Sequence, residues 1–485
     1  MQFGYGILAP DQTELSPGLM SQADGVQPLA DGYGPYPSIT TASTAESLPG
    51  APRGLFSYQT ADGTWAVVAA TASTVEKMNA DFTWDAIDTG LTGAASDDMC
   101  FVRFGTKLLY SNIGDGMRAY DVEAGGAASA VAAAQAPRWM FEAGNILFGL
   151  DCLDNTGTRD NRLIRSSAFS DHTNWTTKGA DYQPLESGGA LIWGGKLSDT
   201  TALVLQQRAV RLIQVGNVGN ALWGIQSISE EFGSVGAKSC VSFDGTVWWW
   251  ATDGLRKFTM GGGIERPMAG KMDKWFLDRV DQSDMSLIQG SIDPFRKNVM
   301  WRWKRSSNVS NVIFEDIIGY NWEHGKPFTL TLQTTYLGFA AQTALTWDSY
   351  EGVWDDANLE WDNRLLQGGQ PLFGALGPDY KFGYFAGTAL AATLETAVNP
   401  SPVSTLIAFA RPEDDSDDGT LELGVRTALN DATTWKTGQA KQASGRVPLR
   451  GRGKYVAFRR NIPAASTWTA AKGIDHLQAQ GTGPQ

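Results

Sequence analysis

Histidine is nearly missing from this chain: three residues in 485, His172, His324 and His476. They stand too far apart in sequence to suggest a histidine-based metal centre. Cysteine is equally scarce. Cys100, Cys152 and Cys240 are odd in number and show no C-x-x-C spacing, which argues against a disulfide framework and for free thiols in a reducing compartment. Charged residues are only 19% of the chain, and 39 Lys and Arg face 52 Asp and Glu, a net charge of −13. A chain of that sign is a poor general ligand for duplex DNA, whose binding comes largely from phosphate neutralisation. The same sign suits a surface that a polyanion slides past. No apolar run approaches the roughly 20 residues of a membrane helix, and the start, MQFGYGILAP, lacks the basic residues of a secretory signal. The expectation is assembly in the cytoplasm with no membrane insertion.

What the chain has in excess is glycine and tryptophan, 55 and 18 residues, the composition of many short strands joined by tight turns. The stretch 233–260, GSVGAKSCVSFDGTVWWWATDGLRKFTM, shows it best. Asp244-Gly245 and Asp253-Gly254 read as hairpin turns, because Gly adopts positive φ without a Cβ clash. Three adjacent Trp (248–250) suit a strand covered on both faces. Strand, turn, strand, turn, strand within about 30 residues is the meander of one propeller blade or one barrel corner. Six further hairpins are legible at 55–68, 101–110, 140–150, 203–215, 299–320 and 373–385. They recur every ~40 to 65 residues, against blades of about 40 to 50. The fold class expected is all-β, a propeller of about six to eight blades over 51–390.

Three regions stand apart from that pattern. Residues 1–50 carry no Lys or Arg and are broken by Pro and Gly, which predicts an extended N-terminal arm lying along another surface. In 270–285, Met272, Trp275, Phe276 and Val280 fall on one face at helical spacing. From 391 to 485, alternating apolar residues predict a separate β-sandwich, with Asn399-Pro400-Ser401-Pro402 read as linker.

Candidates for chemistry are few. Trp-Asp recurs at 347–348, 354–355 and 361–362, and this insert (345–363) is expected to stack on itself with Asp closing each turn. The sharper reading is an exposed ladder for a glycan or a partner protein. Asp348, Asp355, Asp356, Glu360 and Asp362 are plentiful there, but glycoside cleavage needs two carboxylates in one cleft. Ser170 to Trp175 is similar to the Asp-box of sialidase propellers, without its Gly and with an Asp-to-Trp step of four. Asp431 to Trp435 has the same step. Both read as turns capped by Asp and plugged by Trp. The acidic run 413–419 lacks the Glu of a calcium loop and reads as a solvated hairpin tip. Arg446, Arg450, Arg452, Lys454, Arg459 and Arg460 form the densest basic cluster, either an acidic-partner or phosphate contact or an ordinary charged face. No residue is nominated as catalytic, cofactor-binding or metal-binding.

Several segments together resemble the tail hub, or nozzle, proteins of short-tailed bacteriophages. They are Gln27 to Tyr33, Ser167 to Trp175, and Phe232 to Phe258 with Gly236 and Asp244-Gly245. Further ones are Leu287 to Trp303 followed by Ile318-Gly319-Tyr320-Asn321-Trp322, the Trp-Asp insert, and Gly445 to Trp468 with Arg452, Tyr455 and Arg459. The resemblance covers most of the chain at the level of pattern. It implies a structural, non-enzymatic virion tail protein forming a homo-oligomeric ring, a hexamer, below the portal and adaptor proteins. Tail fibre or spike proteins would be further partners, and packaged DNA would pass along the ring's channel and be retained until ejection. The alternative is a virion propeller that binds a receptor or glycan, or cleaves a glycan.

Overall fold

The structure is a computed structural model and describes residues 3–12, 18–61, 65–94, 97–131, 135–218, 221–341 and 371–481. The Trp-Asp insert, with Trp347, Trp354 and Trp361, lies outside the described residues. Six four-stranded antiparallel sheets stand free, and a seventh four-strand run, Gln289–Asp293 to Lys326–Thr334, is part of a 16-stranded sheet. The first strands of these seven units neighbour one another in order, and Tyr336–Ala341 returns to Gly54–Gln59. The described residues therefore form a β-propeller of seven blades: 54–89, 100–130, 139–184, 191–229, 241–265, 289–334, and 336–389 completed by Pro37–Thr40. Each hairpin legible in the sequence falls in a different blade.

The Trp-rich stretch is blade 5. Asp244 and Gly245 have φ of 46° and 69°, and Phe243 pairs with Thr246, so this is the two-residue turn with both centres left-handed. At the second turn the register is shifted by one. Ala251 pairs with Gly254, so Thr252-Asp253 turns the chain and Gly254 opens the next strand. Gly is needed there for a different reason: a Cβ on Gly254 would lie 2.3 Å from the Asp273 carboxyl carbon. Trp248, Trp249 and Trp250 are all buried. Trp249 packs toward blade 4, and Trp248 and Trp250 toward blade 6 and the short helix Asp273–Leu277. Trp250 stacks on Phe276 at 3.9 Å between ring centroids. Met272, Phe276 and Val280 are buried on the expected helical face, Trp275 only partly, although the helix itself is five residues long.

Residues 1–50 differ from the extended arm expected. Pro37–Thr40 is the fourth strand of blade 7, paired with Phe382–Ala389, so the chain's beginning closes the ring. Leu19–Asp24 pairs with Ala392–Thr396 and touches Lys326–Thr334 of blade 6. Tyr33 and Tyr36 are fully buried, Tyr36 between Phe328 and Phe385. The absence of Lys and Arg, read as a mark of an arm, goes instead with burial: long cationic side chains are rarely accepted at a blade edge or in an interior.

The C-terminal part also differs from expectation. It is no detached sandwich joined by a linker. Asn399-Pro400-Ser401-Pro402 begins the long strand Asn399–Asp414. That strand pairs with Val447–Ile462 on one edge and Ala471–Gly481 on the other. These strands, the N-terminal strands and blade 6 form one hydrogen-bonded network. One apolar cluster runs through them, from Phe3 and Phe458 to Trp301. This terminal body, built from both chain ends, is fused to the propeller rather than tethered to it.

Candidate functional site

The first strands of all seven blades surround a cavity of about 470 Å³ on the propeller axis. Its wall carries aromatic side chains from successive blades, among them Phe56, Phe101, Trp139 and Trp193. Charged groups enter from only a few positions. Arg103 Nη2 lies 3.2 Å from Glu123 Oε1, with its guanidinium 5.5 Å from the Tyr58 ring centre; among the described residues its Nη1 has no hydrogen-bond partner. Glu142 lies 3.4 Å from Lys196, which also reaches Asp199 at 3.0 Å. Lys238 pairs with Asp98 at 2.8 Å. Gln289 ties blade 6 to blade 7, its Nε2 donating to the Leu337 carbonyl and its Oε1 accepting from the Leu337 amide. Cys100 sits among them, and burial pushes its thiol up to about 12. His172 lines a neighbouring pocket that also includes Arg103, Glu142 and Lys196, and burial pulls it below its ordinary value. Among the described residues no group of three or more His, Cys, Asp and Glu is placed to hold a metal ion.

A cavity of this size accepts a small molecule and is too small to hold a stretch of double helix. DNA passing along such a protein would run outside the propeller axis.

Elsewhere the sequence candidates become structural parts. Asp171 accepts hydrogen bonds from the Thr173 amide and hydroxyl, and Trp175 is buried with its Nε1 donating to the His172 carbonyl. This is the capped and plugged turn expected of Ser170 to Trp175. In Asp431 to Trp435, Asp431 accepts from the Ala428 amide, and Trp435 lies under the Arg459 guanidinium at 4.0 Å. The acidic run 413–419 is only partly the solvated tip expected. Asp417 and Asp418 are exposed, but Asp414 is buried in a two-point pair with Arg460 at 2.9 and 3.0 Å. Asp415 accepts from the Thr469 and Ala470 amides. The basic cluster divides. Arg460 is consumed by Asp414 and Arg459 by Glu395 and Glu422, whereas Arg446, Arg450, Arg452 and Lys454 remain exposed.

Sequence reading missed the axial cavity. Its lining comes from seven segments between residues 55 and 339, brought together only by ring closure. No protein-family model and no curated protein matches the chain. Among solved structures it is similar to a streptogramin B lyase structure at 12% identity and TM-score 0.40, covering 72% of this chain and 96% of that one. It is also similar to a nidogen/laminin complex at 9% identity and TM-score 0.33, covering 56% and 96%. Likenesses this loose add nothing to what the strand pairing itself shows.

Proposed function

We propose that the chain is a structural tail protein of the nozzle type, a non-enzymatic ring subunit that continues a DNA channel and retains packaged DNA until ejection. The observation that carries this reading is the state of the ionisable groups around the axial cavity. The Arg103, Lys196 and Lys238 head groups each lie against a carboxylate, and the Cys100 thiol stays protonated at neutral pH. A propeller enzyme needs a free acid, base or nucleophile at its pocket. The fused terminal body supports the same reading, since a ring subunit under internal pressure gains from having no flexible joint between its parts. Those resembling segments that lie within the described residues fold as the blade 3 turn, blade 5, blade 6 and the terminal body, all framework elements. The chain's net charge of −13 suits a wall that does not trap a departing polyanion.

The test is made on particles. Virions assembled without this protein are expected to package DNA and then release it, measured as nuclease-sensitive DNA after packaging. Particles that retain their DNA normally, or purified protein that hydrolyses a polysaccharide with turnover, would defeat the reading.

A further inference from the structure

On a chain of net charge −13, one face holds cations with no acid beside them. In the strand Val447–Ile462, burial alternates residue by residue over its first half. Val447, Leu449, Gly451 and Gly453 point inward, and Pro448, Arg450, Arg452 and Lys454 point outward. Arg446 precedes them, its guanidinium 4.6 Å from the Phe409 ring centre. None of Arg446, Arg450, Arg452 and Lys454 forms an ion pair with a described acid, and Arg452 makes only a hydrogen bond to the Ser404 hydroxyl. Beside the strand runs a groove of about 550 Å³ whose described lining is Leu406, Ala408, Lys436, Thr437, Gln439, Pro448, Leu449 and Arg450. Its described lining contains no acidic residue, and Lys436 adds an exposed cation to it.

We infer that the outward face of this strand is a contact site for the phosphodiester backbone of a nucleic acid. Alternate residues of a strand are roughly 6.6 Å apart, of the same order as successive phosphates along one nucleic-acid strand. Arg450, Arg452 and Lys454 thus form a straight row of positive charge with the period of a polyanion. Leu406, Ala408 and Pro448 supply a low apolar floor on which sugar can rest, and the row is not neutralised from within. This site rests on the protein's own charge pattern, so it stands or falls separately from the nozzle reading.

The experiment is equilibrium binding of a labelled 30-base-pair duplex to the purified full-length protein at several salt concentrations. Three neutralised phosphates predict an affinity that falls roughly 40-fold between 50 and 200 mM salt. The variant Arg450→Ser/Arg452→Ser/Lys454→Ser is expected to lose at least tenfold in affinity at 50 mM salt and most of the salt dependence. A variant at exposed cations elsewhere, Lys178→Ser/Arg208→Ser, is expected to bind as the wild type does. Unchanged binding in the triple variant overturns the site. So does poly-glutamate competing as well as DNA, which would indicate an acidic protein partner. Binding to phosphatidylglycerol vesicles but not to duplex overturns it as well. DNA retention by particles is a different readout, so failure here leaves the nozzle reading to its own test.

Discussion

Cys152 and Cys240 are buried, and the Cys100 sulfur accepts a hydrogen bond from the Met140 amide at 3.2 Å inside the axial wall. Burial pushes all three thiols up to about 12, against about 8.5 in an unfolded chain. A thiol that stays protonated when folded and ionises when unfolded stabilises the fold fully below the unfolded value. That contribution is lost as pH rises toward the folded one. Stability toward urea is therefore expected to be flat from neutral pH to about 8.5 and to fall steadily above it, with Cys240→Ala reducing the slope. A thiol reagent at pH 8 is expected to label none of the three in the native protein and all three in denaturant. The same residue scale shows what one sequence can and cannot disclose. The Asp171 to Trp175 turn was legible because its partners are within four residues. The buried Asp414–Arg460 pair was not, because it depends on the register of strands 46 residues apart.

At the scale of elements, legibility followed the turns. The Asp244-Gly245 hairpin announced itself, and so did the all-buried Trp strand. Two outer strands did not: Ser129–Ala130 of blade 2 and Gly263–Glu265 of blade 5 are two and three residues long and largely exposed, too short to show a period. The N-terminal strands were misread for a related reason. They are short, broken by Pro and Gly, and paired with residues more than 300 positions away. This changes the outcome expected of deleting 1–50. An arm could be removed without loss of fold. A deletion that strips blade 7 of its fourth strand and removes Tyr33 and Tyr36 from the interior is expected to leave the chain insoluble or molten. The milder variant Tyr36→Ala is expected to cost about 3 kcal/mol or more in urea unfolding, in the range of other buried aromatics. Soluble, cooperatively folding protein after the deletion would show that these strands are dispensable. By the same pairing, the segment 391–403 is held in strands and is not expected to be an early site of proteolysis.

At the scale of the whole molecule, the sequence carried the propeller but not how the terminal part is attached, because strand order within a sheet leaves no local trace. The attachment matters for assembly. A ring needs two different surfaces on each subunit that meet head to tail. If the chain forms the proposed ring, its described residues are one fused piece, so the two surfaces would keep a fixed angle, and a ring follows where that angle closes on itself rather than continuing as a filament. The subunit's own charge opposes that closure, because copies at −13 repel at low ionic strength. Native mass measurement across a salt series is therefore expected to show the 52.3 kDa chain at low salt and a single discrete assembly at higher salt, where repulsion is screened. The resemblance to nozzle proteins sets the expected copy number at six. A ladder of sizes without a preferred one would mean that the angle does not close. A monomer at every salt and protein concentration would remove the ring, and would favour the receptor- or glycan-binding propeller, whose work needs one subunit and one exposed site.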